Sequence, residues 1–493
     1  MLEKIDLSKK LNKSEYKTIS TELEYKLGEL QRKVRELKIP VIVVFEGWDA
    51  AGKGTLINQL MLAIDPRGFT VYPIKAPNEE ERYRPFLWRF WTKIPETGRL
   101  AIFDRSWYGR VLVERVDKIV SKELWSQAYE DINAFERQLA DDGTVIVKFY
   151  LHITKQEQKK RFEKLLKNKC TSWKVTEEDW RHHKQYQQYA RAVEEMLDKT
   201  DTNLAPWTII EAHDRRFAIV KMYKTLIAAI ERRIAEVQKS EYKYEKITAK
   251  VEVIDSHVSI LNQIDLSHSL SREKYEKELK KYQKRIRDLE HEVYVKRIPV
   301  IIVYQGWDAA GKGGNIKRLL QGMDPRGYEV VPVGAPNDIE LNHHYLWRFW
   351  IKIPKAGHFT IFDRSWYGRV LVERIEGFCT ETEWRRAYRE IKEMEAHLAN
   401  YGTVIIKFWL HIDSEEQLRR FKSREVTPHK QWKIGEEDWR NRKKWDQYQV
   451  AVDEMLFRTN TSYAPWTIIE ANDKLYARIK AIKTVVQAVE NRL

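Results

Sequence analysis

The chain has 493 residues, 88 of them basic and 73 acidic, which gives a formal net charge of +15. Its 43% hydrophobic and 12% aromatic content excludes a disordered chain, and no apolar run reaches the roughly 20 residues that a membrane-spanning helix needs. The positive charge fits either a well-solvated surface or a polyanionic partner, such as nucleic acid, an anionic membrane surface or a phosphate polymer.

The two cysteines bear on the compartment in which the protein works. Cys170 and Cys379 do not occupy equivalent positions in the repeat described below, so we expect no structural disulfide. The charged N-terminus lacks the apolar stretch of a secretory signal. We therefore expect a cytoplasmic protein without a membrane anchor.

The chain repeats its own motifs at a fixed interval. Residues 46–54 return in closely similar form at 305–313, and residues 103–115 return unchanged at 362–374, in each case 259 positions later. We therefore expect two domains of the same fold, which span 1–240 and 255–493. The charged segment between them lacks Gly and Pro, which favours a continued helix over a flexible tether.

Each copy begins with a charged amphipathic helix, around residues 25–34 and 271–289. Such a helix either packs on its own domain or forms the seam of a homo-oligomer. A fully apolar, β-branched run follows each helix, at 40–45 and 299–304, and predicts a buried central strand.

Further strands of the second copy are expected at 330–333, 359–362, 403–410 and 466–470. Helical stretches separate these strands. The predicted fold class is therefore α/β, with two tandem domains that each contain a parallel sheet covered by helices.

The first strand of each copy leads into a phosphate-binding loop. Residues 47–53 and 306–312 follow the pattern G-x-x-x-x-G-K between a strand and a helix. Backbone N–H groups, the helix N-terminus and the lysine can surround phosphate oxygens in such a loop. In the second copy we predict phosphate contacts from Gly306, Ala309, Ala310, Gly311, Lys312 and Gly313.

The loops depart from the usual pattern at their metal ligand. Gly54 and Gly313 stand where a Ser or Thr normally follows the lysine and binds Mg²⁺. Each loop instead carries a carboxylate, Asp49 in the first copy and Asp308 in the second, and we expect it to help hold the metal. The alternative is that this Asp only closes its own turn by hydrogen bonding.

A second constellation follows the apolar strand at 359–362. Asp363 stands at the carboxyl end of this strand, where phosphate-transferring folds place a metal-binding Asp. The adjacent Arg364 can stabilise charge on a transferring phosphoryl group. Arg369 either contacts phosphate as well or pairs with Glu373 at helical spacing.

Two further features have structural alternatives. The aromatic cluster at 346–350 is either core or a base-stacking platform, and Arg348 within it is either an ion-pair partner or a nucleotide contact. His152 and His411 each end an apolar strand, so we expect them to be packed in the core and not catalytic.

Together, the motifs at 306–314, 362–374, 430–433 and 464–474 resemble the family-2 polyphosphate kinases over nearly all of both copies. The tandem arrangement is similar to the two-domain members of that family, which phosphorylate AMP to ADP. The resemblance implies a P-loop kinase fold related to thymidylate kinases with a helical lid, Mg²⁺ as the cofactor, and inorganic polyphosphate as the phosphoryl donor. A phosphate polymer agrees with the positive net charge.

The resemblance also implies roles for individual residues of the second copy. Asp308 and Asp363 would hold Mg²⁺. Lys312 would contact the transferring phosphate, and Arg364 would stabilise it.

The lid distinguishes the two copies. The family's lid arginine corresponds to Arg424, and Lys433 of the following Lys-Gln-Trp-Lys run would contact phosphate, whereas Thr427 replaces the usual Asp. In the first copy Leu165 stands at the position of Arg424. That copy keeps its loop and Asp-Arg residues, which are Asp49, Lys53, Asp104 and Arg105. We expect the second copy to carry the chemistry, and the first to bind without turnover.

The expected reaction is direct, in-line transfer from polyphosphate to AMP, whose anionic phosphate oxygen needs no strong general base. Asn337 and Arg348 are the candidate nucleotide contacts. The sequence leaves open a polyphosphate-dependent kinase of ADP or GDP, an ATP-dependent nucleoside monophosphate kinase, and a non-catalytic polyanion-binding protein. No nucleic-acid recognition motif is evident.

Overall fold

A computed structural model of the chain describes residues 2–241 and 259–493, which form two units. Within these residues, the first unit is built from 2–77, 89–241 and 337–344, and the second from 78–88, 259–336 and 345–493. Each unit thus contains a short segment from the opposite half of the chain. The predicted domains 1–240 and 255–493 stay a prediction, because most of the segment between them lies outside the described residues.

The borrowed segments are hydrogen-bonded into the units that contain them. In the first unit, the Thr97 hydroxyl donates to Asn342 Oδ1 at 2.9 Å, and the Thr97 N–H donates to the Asn342 carbonyl at 2.8 Å. In the second unit, the Ala356 N–H donates to the Tyr83 carbonyl at 2.7 Å. The repeat alone did not predict this exchange.

Each unit is organised around a five-stranded sheet in which every strand pairing is parallel. The strands of the first unit, in the spatial order β2-β3-β1-β4-β5, are β1 (Val41–Gly47), β2 (Phe69–Pro73), β3 (Leu100–Asp104), β4 (Val145–His152) and β5 (Trp207–Glu211). Those of the second, in the order β10-β9-β6-β8-β7, are β6 (Val300–Gly306), β7 (Tyr328–Pro332), β8 (Phe359–Asp363), β9 (Val404–His411) and β10 (Trp466–Glu470).

Helices connect and cover the strands. Those of the first half of the chain are α1 (Lys13–Glu36), α2 (Lys53–Ala63), α3 (Glu79–Arg82), α4 (Trp88–Trp91), α5 (Val113–Val116), α6 (Lys122–Asp141), α7 (Lys155–Leu166), α8 (Glu177–Lys184), α9 (Tyr186–Thr200) and α10 (Arg215–Glu241). Those of the second half are α11 (Arg272–Lys296), α12 (Lys312–Leu320), α13 (Asp338–Leu341), α14 (Trp347–Trp350), α15 (Val372–Glu376), α16 (Glu381–Asn400), α17 (Ser414–Glu425), α18 (Glu436–Lys443), α19 (Trp445–Thr459) and α20 (Lys474–Glu490). The predicted α/β class is confirmed.

The central strands form the core of each sheet. All eight residues of β4 and all eight of β9 are buried, as central strands of a two-sided parallel sheet should be, although each strand includes a lysine and a histidine. The amphipathic helices that open each copy pack within their own units, α1 against α10 and α11 against α20. Leu27, Leu30 and Val34 form the buried stripe of α1.

Two further expectations concern membrane-spanning helices and the two cysteines. Among the described residues, no helix combines the length and the apolar character needed to cross a membrane. Cys170 is exposed and Cys379 half-buried, and both are free thiols.

Candidate active site

The loop that follows β6 has a backbone that only particular residues allow. Gly306 has φ 149°, and a Cβ at this position would lie 2.6 Å from the Leu410 carbonyl oxygen of the adjacent strand β9. Gly311 caps α12 with φ 110°, and Ala309 is also left-handed with φ 61°. The loop therefore curls tightly into the N-terminus of α12, a geometry that presents backbone N–H groups to an anion.

Lys312 is the first residue of α12, and its side chain lies back across the loop. Its ammonium donates to the Gly306 carbonyl at 2.9 Å and to the Trp307 carbonyl at 3.2 Å. Burial lowers the pKa of Lys312, while the charges of Asp308 and Asp363 oppose that shift. The lysine and both carboxylates thus lie within electrostatic reach of one another.

Asp308 is held by partners outside its own turn. Its Oδ1 accepts a hydrogen bond from Arg364 Nη2 at 3.2 Å, and its Oδ2 accepts one from Asn441 Nδ2 at 2.9 Å. The side chain is 14% exposed. These contacts favour a site carboxylate over the alternative that Asp308 only closes its turn.

The pairing of β6 with β8 places Asp363 beside the phosphate-binding loop. It is the last residue of β8 and pairs with Tyr304 of β6, two residues before Gly306. Two carboxylates from neighbouring strand ends suit a hard divalent cation, because Mg²⁺ is commonly held by one or two carboxylates with phosphate oxygens and water completing its shell. Asp308 and Asp363 therefore fit the expected metal, although Gly313 supplies no hydroxyl.

Arg364 follows in a strained backbone conformation. Its φ is 66°, and its N–H donates to the Tyr304 carbonyl at 3.0 Å. A non-glycine residue in this region costs free energy and persists only where the surroundings fix it. Arg364, Asp308 and Gly306 line the same cavity, of about 80 Å³.

A buried polar network fixes the turn after Arg364. Lys407 of β9 donates to Glu395 Oε2 and to the Tyr367 hydroxyl, each at 2.8 Å, and to the Thr459 carbonyl at 2.9 Å. Glu395 Oε1 accepts from the Tyr367 hydroxyl at 2.7 Å and from the Trp366 indole at 3.2 Å. Such a fully satisfied network gives the turn one conformation.

A larger cavity of about 440 Å³ adjoins the other side of the loop, and we call it the basic cavity. It is lined by Ala309, Ala310 and Gly311 together with seven cationic residues, which are Arg318, Arg419, Arg420, Arg424, Lys430, Lys474 and Arg478. The structure therefore brings the predicted lid residue Arg424 to the same cavity as the phosphate-binding loop. The side chain of Lys433 lies outside the described part of the chain, so its role stays a prediction.

Arg420 is a buried member of this cavity that the motifs did not reveal. Its Nη1 donates to the carbonyls of Ala309 and Ala310 at 2.9 and 3.0 Å, and its Nη2 donates to the carbonyls of Ala471 and Asn472 at 2.6 and 3.0 Å. The guanidinium thus ties α17 and the end of β10 to the loop. The only sequence signal was its arginine counterpart, Arg161, which makes the same contacts to the first loop.

Other predicted residues have structural partners. The Asn337 side chain caps α13, where it accepts from the Glu340 N–H at 2.9 Å, and it belongs to the first unit. Arg369 lies 3.2 Å from Glu373 and over the Tyr345 ring at 4.4 Å. This is the ion-pair alternative that the sequence left open. Arg348 lies over the Phe349 ring, 5.6 Å from its centroid. The nucleotide contacts proposed for Asn337 and Arg348 stay predictions.

The aromatic cluster and the strand-end histidine are both packed. Leu346, Phe349 and Trp350 are buried, so these members of the cluster belong to the core. His411 Nδ1 accepts a hydrogen bond from the Trp307 indole at 3.0 Å, and burial lowers its pKa to about 4, which keeps the accepting nitrogen unprotonated. Trp307 also stacks on Trp445 with ring centroids 3.8 Å apart. These two contacts fix the position of Trp307 and therefore of the phosphate-binding loop that contains it.

The first unit contains the same frame, with the same residue types at the four equivalent positions. Lys53 donates to the Gly47 carbonyl at 2.7 Å, and Arg105 Nη2 lies 2.9 Å from Asp49 Oδ1. Asp104 ends β3, as Asp363 ends β8. All four residues predicted for binding in this copy, Asp49, Lys53, Asp104 and Arg105, thus keep the placement of their counterparts.

The basic cavity, in contrast, is not conserved between the copies. Four of its cations have uncharged counterparts 259 positions earlier, namely Gln59 for Arg318, Leu165 for Arg424, Thr171 for Lys430 and Ile219 for Arg478. The two copies therefore differ in the region beside the loop much more than in the loop itself.

Comparisons with known proteins agree with this geometry. A family model described as polyphosphate kinase 2 matches residues 10–238 and 269–493. The chain is 40% identical over 491 residues to a polyphosphate:AMP phosphotransferase of Pseudomonas aeruginosa, with 99% of each chain covered, and 39% identical over 492 residues to one of Pseudomonas syringae, with 99% of this chain and 98% of the relative covered. A crystal structure from Pseudomonas aeruginosa, described as a polyphosphate kinase 2, superposes with a TM-score of 0.88 at 38% identity, covering 100% of this chain and 99% of that one.

Proposed function

The chain belongs to the polyphosphate kinase 2 family, and we propose that its second unit transfers the terminal phosphoryl group of inorganic polyphosphate to AMP, which yields ADP. The protein is a phosphotransferase. The acceptor rests on the two relatives that match over nearly the whole chain, since both are named for AMP.

The basic cavity is the observation that supports a polymeric donor. Seven cationic residues line about 440 Å³ directly beside the loop. A chain of phosphates carries charge along its whole length and would meet a cation at each step, whereas the base and ribose of a nucleotide donor would lie among charged side chains. The cavity therefore favours polyphosphate over ATP as the donor.

The chemistry follows from charge and position. Lys312 and Arg364, which flank Asp308, can neutralise charge that develops on the transferring phosphoryl group, and Arg424 can do so from the basic cavity side. Asp308 and Asp363 would hold Mg²⁺, which when bound supplies further charge neutralisation at the phosphate oxygens. The AMP phosphate is already anionic near neutral pH, so positioning contributes more than proton removal.

The first unit has a different proposed role. It keeps Asp49, Lys53, Asp104 and Arg105 but has Leu165 at the position of the lid arginine, and it lacks three further cations of the basic cavity. We therefore assign turnover to the second unit, and assign phosphate binding without turnover to the first. A cytoplasmic location and the formation of a homo-oligomer stay predictions.

One assay separates the alternatives. Purified full-length protein with Mg²⁺ is given polyphosphate or ATP as donor, and AMP, ADP, GMP or GDP as acceptor, each pair separately. The proposal expects ADP to form from polyphosphate and AMP without ATP, and expects EDTA to stop the reaction. Faster use of ADP or GDP would support a diphosphate kinase, a requirement for ATP would support a nucleotide-dependent kinase, and no turnover with any pair would support a binding protein.

A further inference from the structure

One face of α11, in the second unit, carries a row of exposed cations. The row recurs at steps of three and four residues, which places its members on one side of the helix. They are Lys277, Lys280, Lys281, Lys284 and Arg287, all exposed, and we call this surface the α11 ridge. The buried residues of α11, which include Ile286, Leu289 and Val293, lie on the opposite side. The ridge is about 15 Å long, since each residue of an α-helix adds about 1.5 Å.

The lysines of the ridge contribute no ion pair to the fold. None of the four pairs with a carboxylate within the described part of the chain. They include two pairs that stand four positions apart, a spacing at which like charges repel one another along a helix. On this face, acidic residues occur at the ends of the row, at Glu273 and Asp288. A bound polyanion would relieve the repulsion between the lysines.

The first copy shows that the fold does not require these cations. Their counterparts on α1 are Thr18, Thr21, Glu22, Tyr25 and Gly28, none of which is basic. A cation of the same helix that has a structural partner is, in contrast, present in both copies. Arg285 lies 2.6 Å from Glu490, and its counterpart Lys26 lies 2.8 Å from Glu231. The ridge therefore differs between the copies in the same direction as the basic cavity, which suggests that the two serve one ligand.

The ridge lies beside the basic cavity. Gln283 Nε2 donates at 2.8 Å to the carbonyl of Arg318, a residue that lines that cavity. Arg287 Nε donates to the Gly322 carbonyl at 3.1 Å, and a Cβ at Gly322 would lie 2.5 Å from the Gln283 carbonyl oxygen. The turn after α12 is therefore in close backbone contact with α11. Lys280 precedes Gln283 by three positions, so it lies on the α12 side of the ridge.

We propose that the α11 ridge binds the distal part of a polyphosphate chain whose terminal phosphates occupy the basic cavity. The inference rests on the proposed function, since the same polymer must enter that cavity. A chain with a negative charge on every phosphate is attracted to a row of cations, and each charge that is neutralised releases a counterion. Short chains end within the cavity, so only long chains reach the ridge. The ridge thereby gives the second unit a preference for long polyphosphate.

The test compares two polymer lengths on three forms of the full-length protein. The ridge variant is Lys277→Gln/Lys280→Gln/Lys284→Gln. The control removes three exposed cations from the counterpart helix of the first unit and is Lys13→Gln/Lys17→Gln/Lys33→Gln. Isothermal titration calorimetry measures the binding of long-chain polyphosphate and of tripolyphosphate in the absence of AMP. The phosphate-binding loops of both units are unchanged in all three proteins.

We expect the ridge variant to bind long-chain polyphosphate about 10-fold more weakly than the wild type, with a shallower dependence on salt. Its affinity for tripolyphosphate should not change, and the control should match the wild type with both polymers. The wild type alone gives a second measurement, because its affinity for the long polymer should fall more steeply with salt than its affinity for tripolyphosphate.

Three results would overturn the proposal. Equal weakening of both polymers would mean that the lysines act at the cavity itself, and unchanged binding of the long polymer would mean that it leaves the cavity by another route. Equal weakening in the control would indicate a general effect of net charge. Circular dichroism confirms folding. Transfer from polyphosphate to AMP is assayed separately on the same samples, so a failure of the proposed function is distinguished from a failure of polymer binding.

Other polyanions are tested on the same variants. Single-stranded RNA and anionic lipid vesicles are titrated into the wild type and the ridge variant. A loss of binding confined to one of them, with polyphosphate binding unchanged, would assign the ridge to that partner and would also overturn the proposal.

Discussion

The ammonium of Lys407 lies 2.8 Å from Glu395 Oε2, and neither side chain has any exposed surface. The pair lies under the turn that carries Arg364, where Glu395 also accepts from Trp366 and Tyr367. A buried charge that loses its partner is strongly destabilising, whereas removal of both charges often is not. This relationship makes the turn dependent on a residue more than 40 positions away.

Lys407→Met should therefore destabilise the second unit by about 3–5 kcal/mol, because it leaves Glu395 buried without a counter-charge. Scanning calorimetry of the full chain should show one transition lowered by about 10 °C. The double variant Lys407→Met/Glu395→Gln should recover part of the loss. An unchanged thermogram for the single variant would contradict the assigned role, and Lys148→Met should affect the other unit in the same way.

The loop carboxylates of the two units should differ in their effect on activity. Asp308→Ala removes an expected metal ligand of the second unit and should lower kcat for polyphosphate-dependent ADP formation by about 100-fold or more. Asp49→Ala removes its counterpart, which is paired with His182, and should leave most of the activity. Initial rates at saturating substrates provide the comparison. An equal loss from both variants would mean that both units turn over.

Arg424→Leu introduces the residue of the first copy into the lid of the second. We expect kcat to fall by about 10²- to 10³-fold, the typical effect of removing one charge that stabilises the transition state. The KM for AMP should change little. Arg326→Leu, at an exposed arginine whose partner is Asp324, serves as the control and should retain full activity. If KM rises while kcat is kept, Arg424 binds the donor and does not act on the transferring group.

Two further cations of the basic cavity, Arg318 and Arg478, should affect donor binding alone. Arg318→Gln/Arg478→Ile converts two positions to the residues of the first copy. We expect the KM for polyphosphate to rise by about 10-fold, and its dependence on salt to become shallower, because fewer phosphate charges are neutralised. The KM for AMP is the internal control. A rise in the KM for AMP of the same size would place the acceptor in this cavity.

Lys474 should give donor binding a dependence on pH. Burial, with the nearby charges of Arg420 and Arg419, lowers its pKa to about 8. The lysine is charged below that pH and loses its charge as the pH rises through it, so the KM for polyphosphate should increase between pH 7 and 9.5. Because the Lys474 side chain is only partly shielded and solvent still screens its charge, we expect only about a threefold change. Lys474→Arg, which matches Arg215 of the first copy, should remove this pH dependence.

Much of the fold was predictable because its signals are local. The β-branched run at 299–304 predicted β6, which is observed at Val300–Gly306, and the run at 466–470 coincides with β10. The glycine spacing at 306–312 predicted a loop whose positive φ values and close approach to Leu410 require those glycines. In each case a few adjacent residues determine the structure.

The sequence did not predict the site contacts of Arg420 and Asn441, because their partners are distant along the chain. Arg420 reaches the Ala309 carbonyl across 111 positions, and Asn441 reaches Asp308 across 133, so no motif joins them. Asn337 shows the opposite case, because the pattern Asn-x-x-Glu is a capping-box signature that could have been read as such. The cap on α13 is thus a local signal, and the nucleotide contact of Asn337 stays a prediction.

Each unit includes a short segment from the other half of the chain, and this exchange constrains how the duplicated gene can change. Residues 78–88 complete the second unit, and residues 337–344 complete the first. On the proposed assignment of turnover to the second unit, the first copy is free to change in its lid, where Leu165 stands at the position of Arg424, but it cannot be deleted without removing part of the other unit's structure. Selection then acts on the first copy as a folding partner, and the gene keeps both halves as one inheritable unit.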